Sequence, residues 1–268
     1  MSVFPTLLWV LVIVSAVLCS IGFYRFVWFM SVGYGLAVAG CGLAMAIAAL
    51  TLGQVGIPYL LLCLLIVIYG CRLGLFLLIR ELKNTAYKKT LDAQTKPVPF
   101  FVKVCMWAMM AFLYPFQLSG ALYRLANGQA TASVDYLLWI GILITALGIF
   151  LEAAADKQKS EQKKVRPEMA ATQGLFRLCR CPNYFGEILF WTGIFISGIP
   201  VLRGAQWIIA LIGYVTIVYI MFSGAKRLEK RQNKNYGDKD EYRKYAATTP
   251  ILIPFVPVYH LTKEEWGI

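Results

Sequence analysis

Residues 174–187 read Gly174-Leu-Phe-Arg177-Leu-Cys179-Arg180-Cys181-Pro182-Asn183-Tyr184-Phe-Gly186-Glu187, and they join a basic loop to a long apolar run beginning at Ile188. Pro182 suits the first turn of a helix, where it has no N–H to lose. Asn183 and Glu187 are four apart, so they share one face just inside that helix. Gly186 between them permits close approach by another backbone or a flat ligand. A carboxamide and a carboxylate entering an apolar helix are costly unless something polar meets them. Arg177 and Arg180, beside a helix N-terminus, suit a phosphate. A cap that merely touches lipid headgroups would explain the arginines, but not Asn183 and Glu187.

Working outward, the whole chain is apolar: 59% of its 268 residues are hydrophobic and the mean hydropathy is +0.64. Such a composition indicates a polytopic membrane protein. The net charge of +12 is unevenly placed, since before Arg80 the only charged side chains are Arg25 and Arg72. The rest gathers in three polar segments, as in cytosolic loops, rather than forming a nucleic-acid surface. The seven cysteines sit mostly inside apolar runs, so reduced thiols are expected rather than a disulfide framework. No second cysteine pair or neighbouring histidine completes a metal site around Cys179-x-Cys181, and no metal is expected.

Apolar runs fall at about 4–23, 28–52, 57–82, 99–125, 134–155, 182–203 and 205–223. The first has no basic n-region or cleavage site, so it reads as a retained helix. The fourth contains Pro115 and is expected to kink there. Each run is long enough to span roughly 30 Å of hydrocarbon. The expectation is an all-α bundle of about seven transmembrane helices in a single membrane domain, 1–268. Residues 1–133 would supply the substrate-side helices, and 134–268 the cofactor-binding core and cytosolic tail. The basic segments 80–98, 156–180 and 226–231 fall on one side, which puts the N-terminus outside and the C-terminus in the cytosol. The location expected is a bacterial inner membrane, or the endoplasmic reticulum of a eukaryote.

Polar residues in or beside these runs are the candidates for chemistry. Glu152 and Asp156 are four apart on one helix face, with Glu152 about a turn inside the fifth run. The tail interleaves Arg227, Glu229 and Arg231 with Tyr236, Tyr242 and Tyr245. Aromatic faces beside guanidinium groups suit an adenine ring and its phosphates. In the third run Tyr69 and Arg72 share a face, Gln54 stands at the helix entrance, and Tyr87 lies just beyond the exit. An arginine two turns inside a membrane helix is functional by default.

These residues carry a resemblance. The order Gly-Leu-Phe-Arg…Arg-x-Pro-Asn-Tyr-Phe-Gly-Glu, apolar pair, Tyr-Gly…Glu-Tyr-x-x-Tyr…Thr-Pro…Ile-Pro resembles the steroid 5-alpha-reductase superfamily, closest to its bacterial branch. Sterol C14 reductases and isoprenylcysteine methyltransferases share that C-terminal core. The resemblance implies that Asn183 and Glu187, with Tyr184 between them, contact a nicotinamide cofactor, NADPH, as does Asp156. It puts phosphate contacts on Lys163, Arg177 or Arg180, and Arg227 or Arg231. Tyr69-Gly-Cys-Arg72 resembles the family's Tyr-x-x-Arg, whose tyrosine holds the substrate carbonyl. Two positions depart from the pattern: Cys181 replaces the motif's usual histidine, and Val55 follows Gln54 where the animal enzymes have a Gln-Glu pair.

The activity implied is NADPH-dependent reduction of a conjugated carbon–carbon double bond in a lipophilic, steroid-like ketone drawn from the bilayer. Two other readings stay open. One is an S-adenosylmethionine-dependent methyltransferase, whose cationic cofactor would leave the basic rim unexplained. The other is a non-catalytic lipid-binding membrane protein, which would have no use for Asn183 and Glu187.

Overall fold

The computed structural model describes residues 2–83, 98–132 and 135–262. Every regular element among them is helical: α1 Thr6–Cys19, α2 Val32–Thr51, α3 Ile57–Lys83, α4 Phe100–Gln117, α5 Ser119–Ala126, α6 Tyr136–Val165, α7 Pro182–Gly198, α8 Gln206–Tyr236 and α9 Asp240–Thr248, with short 3-10 turns between some of them. Six helical segments, those containing α1 to α4, α6 and α8, are long and apolar enough to cross a membrane. About seven were expected; among the described residues six meet this test of length and composition. The remaining run forms α7, whose 17 residues rise only about 25 Å.

Three further boundaries differ from the apolar runs. The fourth run is two helices, because Pro115 removes a backbone donor and α4 ends two residues later, at Gln117. Leu118 hinges the chain into α5. The fifth run ends near 155, yet α6 continues to Val165; the seventh ends near 223, yet α8 continues to Tyr236. Lys, Arg, Glu and Gln dominate these extensions, and they are strong helix formers whatever their polarity.

The chain divides into two compact units, residues 1–142 with 193–214 (unit one) and 143–192 with 215–268 (unit two). In unit one, α2 and α3 pack through small residues. A Cβ on Gly70 would fall 2.4 Å from the Ala39 amide nitrogen, and one on Gly35 would fall 2.5 Å from that of Gly74. Such small-residue spacing lets apolar helices gain close van der Waals contact where hydrophobic burial gives no drive. Arg124 of α5 is fully buried in this unit, paired with Asp135 at 2.8 Å and donating from Nε to the Ser197 carbonyl at 3.2 Å.

In unit two, α6 and α7 cross at Gly148 and Gly186. A Cβ on Gly148 would fall 2.4 Å from the Phe190 nitrogen, and one on Gly186 would fall 2.7 Å from that of Glu152. Another backbone, not a flat ligand, therefore occupies the space that Gly186 leaves. The polar end of α6 then holds the loop leading to α7. Gln158 accepts the Leu175 N–H at 2.8 Å, and Gln162 accepts those of Thr172 and Gln173 at 2.9 and 3.0 Å.

Candidate functional site

The motif that opened the sequence forms the head of α7, with Pro182 as its first residue. Asn183 is half-buried, and its Oδ1 is buried with no hydrogen-bond partner. One turn later Glu187 is 8% exposed. Across the glycine crossing, Glu152 is 4% exposed on α6, four residues past Gly148 and so on the same helix face. Asp156, Lys159 and Lys163 continue that face of α6 towards its polar end. Three polar side chains thus sit around one tightly packed crossing, in surroundings that penalise them unless hydrogen bonds compensate.

Tyr184 turns to α8. A Cβ on Gly224 would lie 3.3 Å from the Tyr184 ring, and the Arg227 guanidinium is its other neighbour there at 3.9 Å. Gly224, Arg227 and Arg231 are spaced at i, i+3 and i+7, which makes one stripe of α8. Both arginines are exposed. Arg177 is also exposed, and its Nε donates to Gln173 Oε1 at 3.0 Å.

The other cofactor candidates have partners within the scaffold. Arg180 and Glu229 form an ion pair at 2.5 Å with both side chains fully buried. Glu229 also meets His260 Nδ1 at 3.0 Å and accepts the Leu261 and Thr262 N–H groups at 2.8 and 3.0 Å. Lys163 donates to the Tyr236 hydroxyl at 2.7 Å and the Pro167 carbonyl at 2.9 Å. Tyr242 is fully buried and donates to Asn233 Oδ1 at 2.8 Å; Tyr245 donates to the Phe176 carbonyl at 2.7 Å. Burial pushes the Tyr242 hydroxyl up to about 12, although Arg180 pulls the other way. Burial likewise pushes the Cys179 and Cys181 thiols up to about 12, so both are poor thiolates.

In unit one, Tyr69 is fully buried and its hydroxyl lies 3.4 Å from that of Tyr34. Arg72 is half-buried on the next turn of α3. Gln54 precedes α3, and its Oε1 is buried without a partner. Tyr87 lies outside the described residues.

Over residues 25–249 the chain matches the family described as "protein of unknown function (DUF1295)". The chain belongs to that family. No curated protein and no solved structure matches it. The DUF1295 match takes in every candidate from Gln54 to Tyr245. It stops short of His260 and of the two amides that complete the Glu229 cluster. Sequence reasoning passed over His260, the clamps Gln158 and Gln162, and Arg124. Only Arg124 carried a signal of its own, as a charge inside an apolar run.

Proposed function

We propose that this DUF1295 protein is a membrane-embedded, NADPH-dependent reductase of a conjugated carbon–carbon double bond in a lipophilic ketone, akin to the steroid 5-alpha-reductase superfamily. The observation that carries the reading is the head of α7, where the Asn183 oxygen is buried without a donor beside the buried carboxylates Glu187 and Glu152. A nicotinamide carboxamide offers an N–H to that oxygen, so the residues present fit the group. Arg227 and Arg231, exposed on α8, suit phosphates, and so does Arg177, which Gln173 engages; Arg180 and Lys163 are engaged elsewhere. An S-adenosylmethionine sulfonium, cationic and without phosphate, would leave those arginines unexplained.

NADPH, when bound, would supply the hydride for the β-carbon of the substrate, and a proton from water or a tyrosine would complete the reduction at the α-carbon. The protein's share is to hold charge and exclude water. Tyr69 donates a hydrogen bond to the substrate carbonyl and stabilises the enolate-like oxygen as charge develops. Arg72, three residues on, makes negative charge near that hydroxyl more tolerable. The apolar helices admit a lipophilic substrate from the bilayer and keep water from competing for those hydrogen bonds.

The proposed topology has α7 crossing as a seventh span, since 17 residues is the lower limit for doing so. This leaves the N-terminus outside and every basic segment in the cytosol. Single cysteines at position 128 and at 164 or 234 should then label from opposite sides; labelling from one side would contradict it. The activity reading is tested by titrating the purified protein in detergent with NADPH, NADH and S-adenosylmethionine separately. NADPH should bind most tightly, whereas binding of S-adenosylmethionine without NADPH would overturn the proposal.

A further inference from the structure

Beyond α9, in unit two, the chain makes a short loop whose apolar side chains point out of the protein. Its base is fixed on one flank by Ile251 and Leu252, both fully buried against Cys181, Ala225 and Leu228, and by the Pro250 carbonyl, which accepts the Arg180 N–H at 2.9 Å. The other flank is fixed by the Leu261 and Thr262 amides on Glu229. The neck is closed where the Ile253 N–H donates to the Tyr259 hydroxyl at 2.9 Å. At the tip stands Phe255, 89% exposed and the one non-glycine residue at positive φ, 63°, among the described residues. Ile253, Val256 and Val258 are also exposed, at 38%, 38% and 41%.

Left-handed backbone at a bulky residue is costly and persists only where the surroundings impose it. Here two anchored flanks impose it, and the result is an aromatic ring held away from the core. Exposed apolar tips on a rigid base mark an interaction surface. The base also sets the depth of the tip. Ala225 and Leu228 lie on α8 just where its apolar run, ending near 223, gives way to the exposed Lys226, Arg227 and Lys230. An apolar-to-basic change along a spanning helix marks the bilayer interface. Residues 249–262 contain no acidic side chain that anionic headgroups would repel.

We propose that the loop 253–258 is a membrane wedge, with Phe255 seated at the headgroup–acyl boundary of the leaflet that surrounds the basic end of α8. Burying Phe255 and its neighbours in lipid holds down the strap whose amides cap Glu229. The inference stands apart from the reductase reading and needs no cofactor.

The test places a nitroxide label at Phe255→Cys, with the exposed Cys71 and Cys105 changed to serine, in the full chain in vesicles containing anionic lipid. Val258→Cys serves as a second site, and Asp238→Cys as an exposed reference. At 255 and 258, collisions with oxygen should exceed those with a water-soluble nickel chelate, and the order should reverse at 238. Dominance of the nickel chelate at both 255 and 258 would overturn the proposal. So would low access to both probes, which would mean that protein rather than lipid covers the tip.

Discussion

In unit one the buried guanidinium of Arg124 is met by Asp135 and by the carbonyls of Ser197 and Gln129. In unit two the buried guanidinium of Arg180 meets the carboxylate Glu229 and, at 3.1 Å, His260 Nδ1, and at the second residue of α7 the Asn183 oxygen has no hydrogen-bond partner. Unit one answers some of its internal polarity with backbone, as where the Tyr114 hydroxyl bonds the Phe29 carbonyl and the Trp107 indole bonds the Ala16 carbonyl, while Gln54 Oε1 and the Gln117 carboxamide stay buried without a partner. Unit two sets carboxylates and a carboxamide around one helix crossing, and exposed arginines on the stripe of α8 that Tyr184 meets. On the reading proposed above, the amide and phosphate groups of a cofactor belong to unit two, and the carbonyl donor Tyr69, 3.4 Å from the Tyr34 hydroxyl, belongs to unit one.

The largest effect that could break this contrast is structural. Glu229→Ala strands the Arg180 charge, a change worth about 3–5 kcal/mol for a buried pair. Asp135→Ala should cost less, because Arg124 keeps its carbonyl acceptors. Unfolding in detergent measures both, and a larger loss for Asp135→Ala would reverse the comparison. Next in size is Tyr69→Phe, which removes a hydroxyl and almost no volume. Turnover should fall about 10²–10³-fold with NADPH affinity constant, as for loss of one oxyanion donor. Tyr87→Phe is the matched control; if it abolished turnover while Tyr69→Phe did not, the carbonyl donor would be misassigned.

Smaller effects come from the two glycine crossings. Gly70→Ala and Gly186→Ala each press a Cβ against backbone, and overpacking of this kind costs about 1–3 kcal/mol. Both should lower the melting temperature, but only Gly186→Ala should also weaken NADPH binding. Equal loss of affinity in both would erase the division of labour. Smallest is the phosphate rim. Arg227→Ala should weaken NADPH roughly tenfold, the size of one charged hydrogen bond, and Arg177→Ala by less because Gln173 already engages it. Unchanged affinity in both variants would remove the rim from the account.

The spans were legible in the sequence because hydrocarbon imposes a length and a composition, and both are local properties. The helix ends were not, since bilayer thickness limits an apolar run but not a helix; Lys, Gln and Glu carry α6 ten residues beyond 155. The face shared by Asn183 and Glu187 was legible because helical spacing alone fixes it. The pairing of Arg180 with Glu229 was not, because 49 positions separate the partners and nothing in either neighbourhood selects the other. Gly186 was legible as a point of close approach, but its neighbour Gly148 was not, for the same reason. The tyrosines of the tail looked like ring platforms; their burial depends on the loop that Gln158 and Gln162 hold in place, a contact invisible to composition.

The central claim is that the head of α7 binds NADPH through Asn183. Asn183→Leu keeps the volume, abolishes the unpartnered oxygen, and should leave the melting temperature of the protein alone unchanged or raised. The dissociation constant of NADPH, measured in detergent for wild type and this variant, tests the claim most directly. The account predicts binding by the wild type and at least a roughly tenfold loss in Asn183→Leu. Equal affinity in the two proteins, or no binding by the wild type, would contradict it.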